Sequence, residues 1–212
     1  MVIPFKNQGA KSRLASVLSS LERQLLSFAM LKDVLDAVSG FGRATILSRP
    51  GLDVLDIGCD FEIQESELDL NDALNALIED HVHQGLSSGI LIVMADLALL
   101  TAKVVAEILK CEGDVALCPG RGGGTNMILI RSPRFRTCYQ GLSFPKHLAV
   151  ARQTGLKVSV YESFRAGCDI DEPEDLAEVL LHGRGRSKKV LEEMGFSLSE
   201  NGRAGLCRPN NP

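Results

Sequence analysis

Three cationic side chains, Lys6, Lys11 and Arg13, follow an apolar run at the N-terminus. The segment includes "GAKS", which is close to the tail of a Walker A loop. That motif needs glycine at both ends of a short loop, so that consecutive backbone N–H groups can wrap a phosphate. Phe5 and Ala10 occupy those positions, and the Ala10 side chain blocks the close approach that glycine allows. From the residues alone, a solvated loop and a loop whose side-chain cations bind phosphate are equally open.

Three aspartates are placed where a hard cation could bind. Asp96 ends the apolar run "GILIVMAD", and Thr101 is already a good N-cap for the helix that follows. Asp169 and Asp171 alternate in "DID", and alternate residues of an extended segment point to the same side. Helix capping would explain Asp171 well but Asp169 poorly. Mg²⁺ prefers a few carboxylates together with phosphate oxygens, so the three aspartates predict a magnesium site.

A glycine-rich segment, "GRGGGTN" at residues 120–126, is a second candidate anion site. Its backbone N–H groups and the Thr125 and Asn126 side chains could donate to an anion, although a flexible turn is the alternative. Anion-binding loops that face carboxylates suit phosphoryl or nucleotidyl transfer, in which Mg²⁺ neutralises charge on a leaving pyrophosphate. The sequence shows no Ser-His-Asp or Cys-His arrangement. Its four histidines, at 81, 83, 147 and 182, are expected at the surface.

The elements that must position these residues alternate along the chain. Strands are predicted at 2–5, 43–48, 60–66, 89–96, 114–119, 127–132 and 156–163. Helices are predicted at 18–40, 70–83, 102–111, 143–155, 171–183 and 186–196. The first has a Ser19–Glu22 capping box, and the fifth follows a short extended piece and is started by Asp171 and Pro173. Such alternation favours βαβ units and a mostly parallel mixed sheet covered on both faces. Ligands of open sheets bind beyond the carboxyl ends of the strands, where the candidate residues lie.

The expected architecture is a single three-layer α/β/α domain at 1–196, followed by a disordered tail at 197–212 that is rich in Gly, Asn, Pro and Arg. The 212 residues, 45% apolar and 24% charged, can bury a sizeable core. The net charge of −4 argues against a broad nucleic-acid-binding surface. The most apolar run is too short to span a bilayer, and no signal peptide is evident, so we expect a cytoplasmic protein without a membrane partner. Six scattered cysteines without a C-x-x-C pair are expected to be reduced thiols.

At these residues the sequence resembles the 2-phospho-L-lactate guanylyltransferase family of coenzyme F-420 biosynthesis, which belongs to the sugar-nucleotide-type nucleotidyltransferases. The similar segments are "IPFK", "AKSRL", "LNDALNAL", "ADL", "GGGTN", "SFPKH" and "DIDEPEDL", in the same order and spacing over most of the chain. The resemblance implies a nucleotide-diphospho-sugar transferase-like (GT-A-type) fold. It also implies that GTP and (2S)-2-phospholactate are joined, with Mg²⁺, to give lactyl-2-diphospho-5′-guanosine and pyrophosphate.

The resemblance further implies roles for single residues. The residues that would bind the nucleotide are Pro4, Lys6, Lys11, Arg13 and Asn71. Those that would bind the acceptor are Gly123, Gly124, Thr125 and Ser143. Those that would hold Mg²⁺ are Asp96, Asp169 and Asp171. The expected catalytic residues are Lys6, Lys11, Arg13 and Asp96.

Two positions depart from the family pattern, and other functions stay open. Ala98 stands where a proline usually follows "ADL", and Gln140 where a glycine usually precedes "SF", but neither change removes a charge. A related nucleotidyltransferase could use phosphoenolpyruvate or 3-phosphoglycerate as acceptor. A molybdopterin-type guanylyltransferase would have a glycine-rich first loop containing arginine, which this chain lacks. A non-catalytic nucleotide-binding protein would not need three carboxylates, and a homodimer is left open.

Overall fold

The computed structural model describes residues 1–6, 9, 11–52, 61–83, 89–199 and 205–208. Within these residues the central sheet consists of β1 (Val2–Phe5), β2 (Thr45–Ser48), β3 (Glu62–Glu65), β4 (Ile90–Val93), β5 (Val115–Pro119), β6 (Thr125–Ile130) and β7 (Val158–Val160). The α-helices are α1 (Ser20–Val38), α2 (Leu70–His83), α3 (Ala102–Leu109), α4 (Ser143–Gln153), α5 (Phe164–Gly167), α6 (Asp175–His182) and α7 (Arg186–Glu193). Short 3₁₀ helices cover Ser12–Ser16 and Ser39–Phe41.

The sheet is mixed and mostly parallel, in the order β3-β2-β1-β4-β6-β5-β7. β1 runs parallel to β2 and β4, whereas β6 runs antiparallel to both of its neighbours, β4 and β5. Because β6 runs the other way, its first residue, Thr125, lies at the same edge as the ends of β4 and β5. The segments that follow β1, β4 and β5 therefore meet at one edge of the sheet.

Helices cover both faces of the sheet, which confirms the predicted three-layer α/β fold. Neighbouring residues of one strand point to opposite faces. Ile3 and Leu91 pack in a cluster with residues of α1 and α3. Val2 and Ile92 pack in a second cluster with residues of α2 and α4. Strands that are apolar on both sides are what a buried parallel sheet requires.

The first helix begins as its sequence predicts. The Ser19 side chain accepts from the Glu22 N–H, and the Glu22 side chain accepts from the Ser19 N–H, which completes the capping box. A third apolar cluster joins α1 to α6 and α7 and includes Leu14, which is 0% exposed. Leu14 lies in the 3₁₀ turn after the first loop, so this cluster anchors the cationic segment to the body of the domain.

Two predictions near the C-terminus are wrong. The fifth predicted helix begins at Asp175 and not at Asp171, because a turn separates the "DID" segment from α6. In the predicted disordered tail, Ser197–Ser199 (β8) pairs antiparallel with Gly205–Cys207 (β9). Leu198 and Leu206 pack against the third apolar cluster, and this burial stabilises the hairpin.

Two further expectations were that no segment spans a membrane and that the cysteines are reduced thiols. None of the described helices is long and apolar enough to cross a membrane. The described cysteines, at 111, 118, 138, 168 and 207, form no disulfide.

Candidate active site

Lys11 lies between two of the predicted metal-binding carboxylates. Its Nζ donates to Asp96 Oδ2 and to Asp171 Oδ1, at 2.7 Å in each case. The Lys11 side chain is only 8% exposed, and its φ of 58° lies in the left-handed region that residues other than glycine rarely adopt. Burial lowers the pKa of Lys11, but the attraction of both carboxylates outweighs burial and raises the pKa above its usual value. The ammonium is therefore a permanent positive charge at the edge of the sheet.

A cleft of about 280 Å³ opens beside this ion pair. Its lining includes Pro4, Lys6, Lys11, Asp96 and Asp171. Pro4 belongs to β1, and Lys6 follows β1 with an exposed side chain. The structure thus brings most of the predicted nucleotide-binding residues together with two predicted metal ligands. Cations next to carboxylates in one cleft can receive a polyphosphate and a hard cation together.

Arg13 lies at the rim of the same site. Its Nη1 is 3.3 Å from Glu172 Oε1 and 3.9 Å from Asp171 Oδ2. The Arg13 side chain is 66% exposed, so these ion pairs contribute little to stability. The guanidinium can therefore exchange its carboxylate partners for phosphate oxygens, which match its forked geometry equally well.

The "DID" segment is held against the end of β4 by hydrogen bonds. The Ile170 N–H donates to the Asp96 carbonyl at 3.3 Å. Asn126 Nδ2, at the start of β6, donates to Asp169 Oδ1 at 3.1 Å and to the Ala166 carbonyl at 2.8 Å. These bonds bring the segments that carry the three predicted metal-binding aspartates to the same edge of the sheet. Sequence reasoning gave Asn126 a part in anion binding, whereas its amide holds Asp169.

Helix capping does not explain the aspartates. Asp175 Oδ2 accepts from the N–H groups of Asp171 and Glu172, at 3.0 and 2.8 Å, so Asp175 organises the turn before α6. Thr101 caps α3 by accepting from the Val104 N–H at 3.5 Å, as predicted. The bonds of the Asp171 side chain go instead to the cationic loop.

The predicted metal-binding aspartates carry the type of donor atom that a divalent cation prefers. Burial raises the pKa of Asp169 and outweighs the lowering by the Asn126 amide, while the charges of Asp96 and Asp171 raise it further. Asp96 Oδ1 is buried and has no hydrogen-bond partner in the described part of the chain. Carboxylate oxygens of this kind are what Mg²⁺ binds. Among the described residues, however, no three acidic, His or Cys side chains are grouped to hold a metal.

The glycine-rich loop packs against the N-terminus of α4. The Phe144 N–H donates to the Gly123 carbonyl at 3.1 Å. Gly123 has a φ of 78°, and a Cβ at this position would lie 2.9 Å from Leu142 Cδ2, so the position needs glycine. The N–H groups of Gly122 and Gly124 have no hydrogen-bond partner among the residues described. Free amides beside a helix N-terminus can receive an anion.

The Thr125 hydroxyl lies in a buried network and not at the surface. Thr125 and Ser143 are 2% and 4% exposed. His147 Nε2 accepts from the Cys138 N–H at 2.8 Å, which assigns the ring proton to Nδ1. Nδ1 then donates to Thr125 Oγ1 at 2.8 Å, and Ser143 Oγ donates to the same oxygen at 3.3 Å. The predicted acceptor-binding residues are thus close together, with two of their hydroxyls bonded to each other.

The expectation that the histidines lie at the surface is wrong for His147. Its side chain is 0% exposed, and burial lowers its pKa to about 4. The Tyr139 and His147 rings pack edge to face, with centroids 4.9 Å apart. His147 was missed because its two hydrogen-bond partners become its neighbours only in the folded chain. His182 is exposed, as predicted.

Asn71 does not lie with the other predicted nucleotide-binding residues. Its Oδ1 accepts from the Tyr139 N–H at 2.6 Å, and Asn75, one turn further along α2, accepts from the Thr137 N–H at 2.8 Å. Both amides fasten the segment 137–139 to α2. Asn71 is not part of the cleft lining that includes Lys6 and Lys11.

Arg121 makes contacts beside the candidate site that sequence reasoning missed. Its Nη2 donates to Asp175 Oδ1 at 2.9 Å and lies 2.7 Å from Cys168 Sγ, while Nη1 is 3.8 Å from Glu178 Oε1. The side chain links the glycine-rich loop to α6, next to the "DID" segment. An arginine among glycines was the available signal, but its acidic partners on α6 are remote in the sequence.

Comparison with known sequences covers nearly the whole chain. The sequence profile of the family described as "Guanylyl transferase CofC like" matches residues 1–207. The 2-phospho-L-lactate guanylyltransferase of Methanothrix thermoacetophila is 49% identical over 94% of this chain and 90% of its own length. The 2-phospho-L-lactate guanylyltransferase of Methanoregula boonei is 40% identical over 100% of this chain and 96% of its own length.

Comparison with solved structures supports the fold. A Desulfovibrio desulfuricans G20 protein assigned to the nucleotide-diphospho-sugar transferases has a TM-score of 0.76 at 18% identity, over 91% of this chain and 93% of its own. A nucleotidyl transferase from Methanothermobacter has a TM-score of 0.58 at 16% identity, over 85% of this chain and 96% of its own. The predicted fold, family and transferase class are confirmed: the chain belongs to the guanylyl transferase CofC like family.

Proposed function

We propose that this chain joins GTP to (2S)-2-phospholactate, giving lactyl-2-diphospho-5′-guanosine and pyrophosphate, as a cytoplasmic step of coenzyme F-420 biosynthesis. The observation that carries the proposal is 49% identity, over 94% of the chain, to a protein named 2-phospho-L-lactate guanylyltransferase. The site is consistent with it. A cationic cleft beside carboxylates suits a nucleoside triphosphate, and the free amides of the glycine-rich loop suit a small phosphorylated acid.

In this reaction a phosphate oxygen of phospholactate attacks the α-phosphorus of GTP. The bond from that phosphorus to the oxygen that bridges it to the β-phosphate breaks, and pyrophosphate leaves with the electron pair. The attacking oxygen is already anionic at neutral pH, so no general base is needed. What the protein must do is hold two polyanions in line and neutralise the charge that grows on the leaving group.

Lys6, Lys11 and Arg13 would hold the triphosphate. Lys6 and Arg13 are exposed at the cleft and its rim, so both can meet incoming phosphate oxygens. Lys11 would contact the phosphates by leaving its carboxylate partners. Pro4 would form part of the wall of the nucleotide cleft. Stabilising charge on the departing pyrophosphate is the principal contribution of these cations.

Asp96, Asp169 and Asp171 would hold Mg²⁺. When bound, the ion would neutralise charge on the phosphate that is transferred. The Ile170 N–H and the Asn126 amide keep the "DID" segment beside Asp96. The three carboxylates would still have to converge on the ion, because the described residues contain no group of three acidic side chains placed to hold a metal. The buried Asp96 Oδ1, which has no hydrogen-bond partner among the described residues, supports this role.

The acceptor would bind at the glycine-rich loop and the start of α4. The free N–H groups of Gly122 and Gly124 would donate to its anionic oxygens, whereas the predicted donor Gly123 N–H is bonded to the Gly120 carbonyl at 3.1 Å. Thr125 and Ser143 would act from behind, because their hydroxyls are bonded to each other and to His147. This arrangement fixes the loop relative to the helix N-terminus.

A pyrophosphate-release assay tests the proposal. GTP, ATP, CTP and UTP are each combined with phospholactate, phosphoenolpyruvate or 3-phosphoglycerate, with and without Mg²⁺. GTP with phospholactate should be the fastest pair, and its turnover should need the metal. Equal rates with all four nucleotides would contradict guanine selectivity, and a faster rate with another acid would identify a different acceptor. Nucleotide binding without pyrophosphate release would point to a non-catalytic binder. The homodimer stays a prediction, to be checked by sedimentation.

A further inference from the structure

We propose that Lys11 is the resident cation of Asp96 and Asp171 and excludes divalent metal from this pair until a nucleoside triphosphate withdraws the ammonium. The inference rests on the proposed function, because it concerns the metal and nucleotide of that same site. It predicts that the free protein binds divalent cations weakly. It also predicts that nucleotide and metal each increase the affinity of the protein for the other, since coupling between two ligands is reciprocal.

The Lys11 ammonium and a divalent cation need the same oxygens. Nζ lies 2.7 Å from one oxygen of Asp96 and 2.7 Å from one oxygen of Asp171. The Lys11 side chain is 8% exposed, so little solvent screens its charge from a second cation. A divalent ion bridging these carboxylates would therefore be strongly repelled while Nζ remains in place.

Other carboxylate oxygens beside Lys11 are not paired with its ammonium. Asp96 Oδ1 is buried without a hydrogen-bond partner in the part of the chain that the structure describes. Asp169 lies beside the pair with one oxygen bonded to the Asn126 amide. One ammonium, with its single charge, thus leaves an oxygen of Asp96 without a partner. Asp96 and Asp171 can accept a cation of higher charge once the ammonium leaves, with phosphate oxygens among its other ligands.

The position of the cleft explains why a triphosphate would draw Lys11 away. Lys6 and Lys11 line the same cleft, so a triphosphate bound there meets both cations at once. Its phosphates offer Lys11 a new set of anionic oxygens, while a metal that arrives with the nucleotide compensates the carboxylates. The adjoining turn is anchored by buried Leu14, so the backbone near Lys11 can stay in place while the side chain moves.

Titration of the nucleotide-free protein with Mn²⁺ tests the inference without using turnover. Free Mn²⁺ is measured by electron paramagnetic resonance for the wild type, Lys11→Met and Lys6→Met. Lys11→Met should bind Mn²⁺ at least about 10-fold more tightly than the wild type, because the repulsion from a positive charge held beside the same oxygens is removed. Lys6→Met removes the same charge from the same cleft without touching a carboxylate, and should bind Mn²⁺ as the wild type does.

A second variant and a second readout guard against misfolding. Lys11→Gln keeps a polar group in place without the charge and should also gain Mn²⁺ affinity. Circular dichroism reports whether each variant is folded, and Mn²⁺ should raise the melting temperature of both Lys11 variants more than that of the wild type. If a variant unfolds without metal, Mn²⁺ must restore its structure, and failure to do so contradicts the inference.

The outcomes also separate this inference from the proposed function. Equal Mn²⁺ affinity in the wild type and both Lys11 variants, or an equal gain in Lys6→Met, would overturn the inference even if the enzyme is active. A gain confined to the Lys11 variants supports it even if GTP and phospholactate release no pyrophosphate. In that case the proposed function alone would fail.

Discussion

Asp96 is the residue on which the metal site most depends. Its Oδ2 accepts from Lys11, whereas its Oδ1 is buried and lacks a hydrogen-bond partner within the described residues. Thr101 already caps the next helix, and the bond to Ile170 uses the Asp96 carbonyl, so the backbone does not need this carboxylate. A buried carboxylate oxygen without a partner costs stability. A ligand that binds there during the reaction would explain why the cost is tolerated.

Replacing Asp96 by Asn separates a metal ligand from a structural aspartate. The amide oxygen can still accept from Lys11, so the fold should persist with a loss of about 1–2 kcal/mol. Turnover of GTP and phospholactate should fall roughly 100- to 1,000-fold, because the charge that holds the metal is gone. More Mg²⁺ should recover part of the rate, and Asp169→Asn should behave alike. Glu172→Gln, which removes an exposed charge on the same segment, is the matched control. Full turnover with a lower melting temperature in both aspartate variants would rule out the metal site.

At the scale of secondary-structure elements, the proposed acceptor site depends on the contact between the glycine-rich loop and the N-terminus of α4. Gly123→Ala should destabilise the fold by about 1–2 kcal/mol, because the residue has a positive φ and its new Cβ would press on Leu142. Displacing the loop should raise the KM for phospholactate more than the KM for GTP. Gly122→Ala is the matched control, since a Cβ there meets nothing within 4 Å. Steady-state kinetics and urea unfolding measure both effects. If the KM for GTP rises instead, the loop belongs to the nucleotide site.

Helix α4 also fastens β6 through His147, and this contact should depend on pH. Burial lowers the pKa of His147 to about 4, whereas the unfolded chain keeps a value near 6.5. The unfolded state therefore binds the proton more readily, and stability falls as pH drops below 6.5. Between about pH 7 and about pH 5 the loss should be about 2 kcal/mol. Urea unfolding of His147→Gln should show a pH dependence weaker by that amount. His182→Gln, at an exposed position, should keep the wild-type profile, and an unchanged profile in His147→Gln would contradict the assignment.

For the molecule as a whole, the sequence was sufficient to predict the three-layer fold and to place candidate site residues at the ends of its strands. Strands such as "GILIVMAD" have an apolar pattern that only a sheet buried on both faces needs, and they end at candidate ligands such as Asp96. The pairing of Lys11 with Asp96 and Asp171 could not be predicted in this way. In the sequence, Asp96 lies 85 positions and Asp171 lies 160 positions from Lys11, and only the folded sheet brings their segments to the same edge.

Two of the three remaining wrong predictions have the same long-range origin, and the third is local. A buried histidine such as His147 looks like a surface residue until its hydrogen-bond partners are known. The C-terminal composition hides Leu198 and Leu206, whose burial stabilises the last hairpin. Helix α6 begins at Asp175 and not at Asp171, because the Asp175 side chain accepts from the N–H groups of Asp171 and Glu172 in the preceding turn. Local sequence patterns report propensity, and tertiary contacts can override it.

Isotope labelling tests guanylyl transfer by the whole molecule most directly. Phospholactate that carries ¹⁸O in the non-bridging oxygens of its phosphate is incubated with unlabelled GTP, Mg²⁺ and the protein, and the products are identified by mass spectrometry. Attack of a phospholactate oxygen on the α-phosphorus of GTP predicts that lactyl-2-diphospho-5′-guanosine keeps all of the label and that pyrophosphate carries none. Label in any product other than this guanosine diphosphate ester, or no such ester while GTP is consumed, would contradict it.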